Sequence, residues 1–380
     1  MSLRAAALLT AGTLLTGCSL VDAIFTPPAV PGGSPSGQAA SEPLPPLDAN
    51  RFVLVDGEDA VGELQVALAG GEDTFVEFAR SYGLGFDELR AANPGVDPWL
   101  PGEDTPVVLP TRFVLPDAPR EGIVLNVAAK RLFYYPPAVN GEPTMVETYP
   151  IGIGREDWAT PTGATTVVAR TRDPVWFVPA SIRREHAEMG DPLPAQVPPG
   201  PDNPLGSRVL QLGLPGYLIH GTNKPAGVGM RVSHGCVRLY PEDIEFLYDR
   251  IPVGTPVTIV NQPLLLGRSG NDLLLEAHPP LAEDERDLLP DFEKLAATRA
   301  DDMPNGSANV DITRLAPIAK EQRGFPVSVL SGGDDAAAAL RQARRVENVI
   351  VYEPAERVAD TAVDDIADPV AASAADTAVD

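Results

Sequence analysis

Two short helices are predicted in the first third of the chain by the spacing of apolar residues. In the first, apolar side chains fall at positions i, i+3, i+4 and i+7, namely Phe75, Phe78, Ala79 and Tyr82. The segment FDELRAAN predicts the second helix, and the strand-like segments ELQVALA and PVVLP lie on either side of the pair. Residues 51–111 are therefore predicted to form a small module with the order strand–helix–helix–strand.

Between residues 120 and 262, short apolar segments alternate with turns, which predicts a mainly β domain. In the first segment, GIVLNVAAKRLFYYP, both alternating sets of positions are mostly apolar, as is typical of a strand buried on both faces. One helix is predicted at PEDIEFLYDRI, with Pro241 at its first position, acidic residues in its first turn and an apolar stripe of Ile244, Leu247, Tyr248 and Ile251. We expect a β-sandwich or distorted barrel with few helices.

The periodic signal weakens after residue 262. GNDLLLEAHPPL predicts one more strand that completes the β domain, helices are predicted within 284–300 and at DDAAAALRQARRV, and FPVSVL predicts a strand between them. We treat 263–354 as a C-terminal extension of unknown role. The final segment, 355–380, is predicted to be disordered, because residues 358–380 contain six Asp but no Lys, Arg or aromatic residue.

The first residues, MSLRAAALLTAGTLLTGCSL, have the pattern of an export signal. Arg4 precedes an apolar run that is too short to span a bilayer, which fits the core of a signal peptide over residues 1–17. Residues 18–50 are rich in Pro, Gly, Ser and Ala, so they are predicted to form a disordered, extended tether. The folded part of the chain is expected to begin near Arg51.

Composition narrows the range of functions. The 380 residues include 53 acidic and 29 basic side chains, a formal net charge of -24, which argues against binding to nucleic acid. This charge leaves an uncharged or zwitterionic substrate open. The 41 prolines, 34 glycines and 6% aromatic residues fit turns and strands rather than a helical bundle.

The candidate chemistry is concentrated in one segment, IHGTNKPAGVGMRVSHGCVRLYPED. Of four histidines and two cysteines in the chain, His220, His234 and Cys236 lie within 17 residues here. A cysteine attacks a carbonyl as a thiolate, so it needs a neighbouring base, a group that orients the base and donors for an oxyanion. Gly235 permits a tight turn in which its own amide and that of Cys236 converge. Residue types alone leave open which histidine is the base.

Two other interpretations of these three side chains are open. They are plausible zinc ligands, but a structural zinc site needs a fourth ligand, and the other histidines, His186 and His278, lie in unrelated contexts. We expect His186 in a solvated or substrate-facing loop and His278 in a structural position. The second alternative is a non-catalytic binding protein whose active site has decayed, and the intact SHGC segment argues against it.

Aromatic and basic residues elsewhere are weaker candidates for substrate contacts. Trp158, Trp176 and Tyr217 would suit a substrate cleft, although aromatic residues at strand positions more often pack in a core. Arg183 and Arg184 would suit substrate carboxylates, and a solvated surface is the alternative for both.

The spacing of the motifs resembles that of a known family. HGT followed by SHGCVR, with 16 positions from the histidine to the cysteine, is similar to the signature of the YkuD-type L,D-transpeptidases. The segments REDWATPTGATTV, DPVWFVPASIRRE and NPLGSRVLQLG resemble blocks of the subgroup that acts on the Gram-negative envelope. The resemblance extends over about residues 51–280, and it implies an L,D-transpeptidase catalytic domain at 120–262.

The resemblance implies a role for each residue of the signature. Cys236 is the nucleophile and His220 the general base and acid, with the carbonyl of Gly221 orienting the imidazole. His234 has a supporting role, and Gly235 contributes its backbone N–H to the oxyanion. The substrate-binding candidates are Arg238, which would hold structure or a substrate carboxylate, and more weakly Ser233 and Thr222.

The implied reaction is acyl transfer on peptidoglycan stem peptides. The thiolate attacks the bond between diaminopimelate and D-Ala in a tetrapeptide stem, D-Ala leaves, and the thioester passes the acyl group to an amine. That amine belongs to another diaminopimelate, to the lysine of an outer-membrane lipoprotein or to a free amino acid. With water as the acceptor, the same site acts as a carboxypeptidase or as a lipoprotein-detaching amidase. The reaction requires no metal or organic cofactor.

Two further resemblances concern the N-terminal region. The 51–111 module resembles LysM modules, which bind the glycan of peptidoglycan, through its AANPG…LPG stretch; a packing module without a ligand is the alternative. LTGC resembles the bacterial lipobox, whose cysteine, here Cys18, is lipidated and anchors the protein to a membrane. Ser19 favours the outer over the inner membrane, so we expect a lipid-anchored periplasmic protein, with an ordinary secretory signal as the alternative. A non-catalytic peptidoglycan-binding lipoprotein is the competing function.

Overall fold

The computed structural model describes residues 43–48, 50–301, 303 and 309–350. The predicted signal peptide, Cys18, most of the predicted tether and the predicted acidic tail therefore lie outside the described residues. Within the described ranges, no helix combines the length and the apolar composition that crossing a membrane requires.

The N-terminal part of the fold consists of short elements: β1 (Arg51–Val53), β2 (Ala60–Gly62), β3 (Gln65–Leu68), α1 (Phe75–Ser81), α2 (Phe86–Ala92), β4 (Pro106–Leu109) and β5 (Arg112–Val114). β3 pairs antiparallel with β4, and the two helices lie between them along the chain, in the predicted order. Helix α1 begins after Thr74, whose hydroxyl accepts from the Glu77 amide while the Glu77 carboxylate accepts from the Thr74 amide. The helices enclose a small core that includes Phe75, Phe78 and Leu89.

The central part is mainly β, as predicted, with the elements β6 (Gly122–Asn126), β7 (Arg131–Tyr135), β8 (Met145–Pro150), β9 (Ile153–Gly154), β10 (Gly163–Arg172), β11 (Trp176–Phe177), α3 (Ala180–Glu188), β12 (Gln196–Val197), β13 (Arg208–Leu212), β14 (Leu218–His220), β15 (Arg231–Ser233), β16 (Val237–Arg238), α4 (Pro241–Arg250) and β17 (Pro256–Val260). Among the described residues, nine strands form the main sheet in the order β1-β8-β7-β6-β17-β10-β13-β14-β16. β6 pairs with β17, and β14 with β16, in parallel orientation. Two smaller pairs, β11 with β12 and β9 with β15, lie beside this sheet.

Strand β10 makes the main sheet curl. Its first residues, Gly163 to Thr166, pair with β17, and its later ones, Val167 to Arg172, pair with β13, with a register shift between Val167 and Ala169. A strand that changes partner through such an irregularity bends the sheet, so that the concave side encloses an apolar core. Helix α4 covers this core with the predicted stripe, Ile244, Leu247, Tyr248 and the following Ile251, all buried.

Strand β1 does not belong to the N-terminal module, although the module was predicted to start at Arg51. It pairs antiparallel with β8, with Arg51 opposite Glu147, and so extends the main sheet at its edge. The unpaired backbone groups of an edge strand favour the addition of a further strand. The sequence of residues 51–53 does not by itself indicate that they pair with β8.

The C-terminal region contains β18 (Leu264–Ser269), β19 (Asp272–Ala277), α5 (Leu289–Asp301), α6 (Ile312–Glu321), β20 (Val327–Ser328), α7 (Ala336–Gln342) and β21 (Arg344–Arg345). β18, β19 and β20 form a separate antiparallel sheet, so the expectation that this segment completes the main β domain was wrong. β21 pairs in parallel with β3 and therefore joins the sheet of the N-terminal module. Helices α5 and α6 cover the three-stranded sheet around Leu273, Leu275 and Leu315.

The last part of the predicted tether is ordered. The Leu44 amide donates to the Arg345 carbonyl at 3.1 Å, and the Glu347 amide donates to the Leu44 carbonyl at 2.8 Å. The Leu47 amide donates to Gln65 Oε1 at 2.8 Å. Residues 43–48 therefore lie against β21 and the module, because the free edge of β21 supplies hydrogen-bond partners for their backbone. The Pro-rich composition of the segment does not indicate this pairing.

Candidate active site

Strands β14 and β16 bring the two principal candidates together. They pair in parallel with Ile219 opposite Val237 and His220 opposite Arg238. Cys236 directly precedes β16, and the amide of Leu218 in β14 donates to its Sγ at 3.2 Å. A hydrogen bond donated by an N–H stabilises the thiolate form of a cysteine, and the thiolate is the form that acts as a nucleophile.

The imidazole of His220 is completely buried and is oriented by the next residue. Its Nδ1 lies 2.6 Å from the carbonyl oxygen of Gly221, the contact predicted for that carbonyl. Since a carbonyl only accepts, Nδ1 carries the hydrogen and Nε2 keeps its lone pair. This is the tautomer in which Nε2 can act as a base.

Ser233 holds the tight turn that precedes the cysteine. Its hydroxyl accepts from the Gly235 amide at 3.1 Å and donates to the Cys236 carbonyl at 2.6 Å. Gly235 has a φ of 109°, and a Cβ at this position would lie 2.9 Å from Cε1 of Tyr217, so a side chain is excluded on two grounds. The predicted turn is present, but the Gly235 amide is bonded to Ser233 rather than exposed to a ligand.

Thr160 makes a second connection to this turn from the segment after β9. Its hydroxyl accepts from the Gly154 amide at 3.1 Å and donates to the Gly235 carbonyl at 2.8 Å. The segment packs closely, because a Cβ on Gly154 would lie 1.9 Å from the Trp158 carbonyl oxygen and 2.9 Å from Gly235 Cα. The backbone at 235 is thus fixed from both sides.

His234 turns toward two charged residues that the sequence analysis did not single out. Its Nε2 lies 3.0 Å from Glu185 Oε2 and 3.0 Å from Arg155 Nη2, and Arg155 also donates to Glu185. Burial by itself would raise the pKa of Glu185, but the hydrogen bonds from Arg155 and His234 outweigh it and lower that pKa. The Trp158 ring lies edge-on to the imidazole, with centroids 5.1 Å apart.

Arg155 and Glu185 were missed because they are distant from the motif in sequence. Glu185 is 49 positions from His234, and Arg155 is 79 positions from it. Both lie in segments that resemble the family, REDW and RREH, yet no local pattern joins them to the SHGC segment. Thr160 was missed for the same reason, whereas Leu218 lies two residues before His220 and was missed because it bonds to the sulfur through its backbone amide, which no residue type marks.

The candidate substrate-binding residues of the signature are buried. Arg238 is 1% exposed, and its backbone exchanges hydrogen bonds with Gly152 at 3.0 and 2.9 Å. Thr222 accepts from the Lys224 amide at 3.0 Å through its hydroxyl, which closes the turn after His220. Like Ser233, these residues lie within the framework of the site rather than on an open surface.

The remaining candidates divide between core and surface. Trp176 packs in a small core with Ile182, whereas Trp158 and Tyr217 are half-buried and flank Gly235. Arg183 and Arg184 are exposed on α3.

The two other histidines lie away from the signature. His186 is 3% exposed, so the expectation of a solvated loop was wrong: it lies on α3 four residues after Ile182 and shares that helix's inner face. His278 Nε2 lies 2.6 Å from Glu276 Oε1, and the other oxygen of that carboxylate accepts from the Val114 amide, a structural position as expected. In the part of the chain that the structure describes, no group of three or more His, Cys, Asp or Glu is arranged to hold a metal ion.

Fold and site together define a mainly β protein in which a histidine ends one strand and a cysteine directly precedes the parallel strand beside it, a candidate thiol active site. A sequence model of the YkuD family, the L,D-transpeptidase catalytic domain, matches residues 120–259. "Probable L,D-transpeptidase ErfK/SrfK" of Salmonella typhimurium is 40% identical over 299 residues, which cover 77% of this chain and 92% of that protein. "Probable L,D-transpeptidase YcfS" of Escherichia coli is 39% identical over 301 residues, 77% of this chain and 89% of that protein. The chain belongs to the L,D-transpeptidase family.

Among solved structures, an L,D-transpeptidase from Mycobacterium smegmatis is similar to this chain with a TM-score of 0.29 and 22% sequence identity, over 37% of this chain and 58% of that one.

Proposed function

We propose that this protein is a cysteine-dependent acyltransferase that acts on the stem peptides of peptidoglycan. The observation that supports the proposal is the parallel pairing of β14 with β16. The Leu218 amide of β14 donates to the Cys236 sulfur, and two residues further along β14 the His220 Nδ1 lies 2.6 Å from the Gly221 carbonyl oxygen. Membership in the L,D-transpeptidase family supports the choice of reaction and substrate.

In the first half of the reaction, His220 Nε2 takes the proton from Cys236 Sγ. The thiolate attacks the carbonyl carbon of the diaminopimelate–D-Ala bond and forms a tetrahedral intermediate. The intermediate collapses as the C–N bond breaks, and the His220 imidazolium returns its proton to the leaving amine of D-Ala. The products of this half-reaction are free D-Ala and a thioester on Cys236.

In the second half, an amine attacks the thioester carbonyl. His220 Nε2 takes the proton from the attacking nitrogen, the C–S bond breaks, and the proton passes to the sulfur as the new amide forms. The acceptor amine is that of a second diaminopimelate or of a lipoprotein lysine. Water in its place would yield a shortened stem peptide. Detachment of a lipoprotein would require that the thiolate first attack the bond to the lipoprotein lysine, so that the lysine amine leaves with the proton from His220 and water then hydrolyses the thioester.

The amides of Gly235 and Cys236 are our proposed donors to the oxyanion. The Gly235 amide would move from Ser233 Oγ to the developing negative charge, while Ser233 keeps its hydrogen bond to the Cys236 carbonyl. His234 supports the turn from the other side through Glu185. For Ser233 and Thr222 we propose roles in holding the backbone, because each is buried and its hydroxyl bonds to neighbouring backbone groups. For Arg238 we propose a structural role, because its side chain is buried.

The surroundings of the reaction follow from the same proposal. The β3–α1–α2–β4 module, which resembles LysM, would bind the glycan, and Trp99, 57% exposed beside Phe86 in this module, would offer an aromatic surface to a sugar. We propose a periplasmic location with a lipid anchor at Cys18 in the outer membrane, a proposal that rests on the LTGC sequence and on Ser19.

The experiment is to incubate the chain from Ser19 onward with purified tetrapeptide muropeptides and to weigh the products by mass spectrometry. We expect free D-Ala and cross-linked dimers, and we expect neither from the Cys236→Ala variant. Release of D-Ala without dimers would assign the hydrolytic reaction instead. Equal product from the wild type and from Cys236→Ala would overturn the proposal.

A further inference from the structure

The turn between the two helices of the N-terminal module contacts the loop that connects His220 to Cys236. We call residues 82–86 the α1–α2 turn and residues 221–230 the active-site loop. The Phe86 amide donates to the Val228 carbonyl at 3.3 Å. A Cβ on Gly229, which has a φ of 85°, would lie 2.3 Å from Gly85 Cα, so the two backbones approach as closely as glycines allow.

The same turn also contacts the chain just after the nucleophile. The hydroxyl of Tyr240, which follows β16, donates to the Leu84 carbonyl at 3.1 Å. Tyr240 is 3% exposed, so this hydrogen bond lies out of solvent. The turn therefore touches the polypeptide on both sides of Cys236.

A buried ion pair fixes the turn to the main sheet. Arg131 in β7 donates to both carboxylate oxygens of Glu88, at 3.1 and 2.9 Å, and also to the Gly83 carbonyl at 3.0 Å. The Glu88 carboxylate in turn accepts from the Gly85 amide at 3.0 Å. Because both side chains are buried, separating them would leave an uncompensated charge, and the turn is held at one position on the sheet.

The active-site loop is joined to the module by packing as well. Met230 at its end packs against the apolar core of the module, which includes Phe86. Its carbonyl accepts from the Ile153 amide at 3.0 Å, which connects the loop to β9 and to the segment that contacts Gly235. Movement of the module would therefore displace the loop and the catalytic turn together.

We infer that the α1–α2 turn is a positioning element of the active site: it fixes the active-site loop, and through it the placement of His220 relative to Cys236. The inference rests on the proposed function for its chemistry. The turn lies outside residues 120–259, the part of the chain that the catalytic-domain family covers. In this protein the site is thus completed by residues from the N-terminal module.

The test compares two alanine variants within the module, in the chain from Ser19 onward. Gly85 has a φ of −92°, which alanine adopts without strain, and its added Cβ would lie 2.8 Å from Gly229 Cα, so Gly85→Ala pushes the turn away from the loop. Gly71→Ala is the matched control, because a Cβ there meets no atom within 4 Å. Melting temperature, kcat and KM for D-Ala release from tetrapeptide muropeptides, and the pH profile of Cys236 alkylation by iodoacetamide are measured for both.

We expect Gly85→Ala to lower kcat by about 10- to 100-fold, with KM changed by less than about 3-fold, because displaced reacting groups reduce the rate more than binding. We also expect its alkylation profile to shift to higher pH, since the thiol would lose its base. The chain from Ser19 onward lacks Cys18 and keeps Cys236 as its only cysteine, so alkylation reports on Cys236 alone. Gly71→Ala should match the wild type in every measurement.

A folded Gly85→Ala with the kcat and the alkylation profile of the wild type would overturn the inference. If Gly85→Ala does not fold, Tyr240→Phe decides, because it removes only the hydrogen bond to Leu84: a wild-type kcat and profile would overturn the inference, and a lower kcat with a shifted profile would support it. If the wild type itself releases no D-Ala, the proposed function fails, while the alkylation profiles still test the positioning.

Discussion

The amide of Leu218 lies 3.2 Å from Sγ of Cys236, a hydrogen bond that runs from β14 to the residue directly before β16 rather than within the turn at Gly235. The sulfur is therefore placed by the register of β14 and β16, the same register that sets His220 opposite Arg238. A slip of this pairing by one residue would turn the side chains of His220 and Cys236, the candidate base and nucleophile, to opposite faces of the sheet. Sheet pairing, as much as the motif itself, assembles the site.

Replacement of the proposed base should affect the rate far more than the fold. We expect His220→Gln to lower kcat for D-Ala release on the order of 10²- to 10⁴-fold with little change in KM, because glutamine cannot take the proton from Cys236. Steady-state kinetics with tetrapeptide muropeptides measures both constants. The control is His278→Gln, which disturbs the contact with Glu276 and should lower the melting temperature but keep kcat. Similar losses of kcat in both variants would contradict the role of His220.

The ionised carboxylate of Glu185, which contacts His234, should stabilise the fold, and this stabilisation should be lost in acid. The pKa of its carboxyl is lowered, so its ionised form stabilises the fold above the pKa of the unfolded chain, and this contribution is lost as pH falls through the lower folded value. We expect Glu185→Gln to be less stable than the wild type at pH 7 and to show a smaller difference below about pH 4. Thermal melts over pH 3–7 measure this difference. The exposed neighbour Glu188 supplies the control Glu188→Gln, and an equal effect of both changes would contradict the prediction.

Asp243 should make the protein less stable as pH rises. Burial, followed by the charge of Glu242, raises its pKa to about 7, although Arg131 and Arg80 act in the opposite direction. Its Oδ2 is buried without a hydrogen-bond partner in the described structure. The fold favours the protonated form of Asp243. The contribution of this form to the free energy of unfolding is complete below about pH 4, and it is lost as pH rises toward about 7, at no more than about 1.4 kcal/mol per pH unit.

The Asp243→Asn variant tests this dependence, because the amide has the shape of the neutral acid and does not titrate. We expect its free energy of unfolding to exceed that of the wild type at pH 7.5 and to approach it at pH 4, as measured by urea denaturation at both values. Tyr240 and Tyr149, whose pKa values are raised partly by Asp243, stay neutral throughout this range. A constant difference between the two proteins from pH 4 to pH 7.5 would contradict the assignment.

Replacement of only one partner of the Arg131–Glu88 ion pair should destabilise the protein strongly. We expect Glu88→Leu to destabilise the protein by about 3–5 kcal/mol, because the guanidinium would stay buried without its carboxylate. The double variant Glu88→Leu/Arg131→Met should recover part of this loss, since it removes both charges together. Denaturant unfolding measures all three proteins. A double variant less stable than the single one would indicate that Arg131 acts mainly through Thr148 and Gly83.

Local sequence patterns predicted those features that depend on neighbouring residues. The spacing of Phe75, Phe78 and Ala79 predicted α1, and the stripe from Ile244 to Ile251 predicted α4, because a helix is built from contacts between residues three and four positions apart. The turn at Gly235 was also predictable from the residue type, whereas the carbonyl contact of His220 was an expectation from the family resemblance.

The sequence by itself thus determined the mainly β character, the order of the module's elements and the segment that holds the candidate catalytic residues, whose separate roles are those that the family resemblance implies. Only the tertiary structure decided that β1 joins the main sheet, that β21 joins the module, that Glu185 and Arg155 meet His234, and that Gly85 meets Gly229. The physical reason is that these contacts join residues far apart in sequence. Which residues meet depends on free sheet edges and on buried ion pairs, and both arise only once the chain has folded.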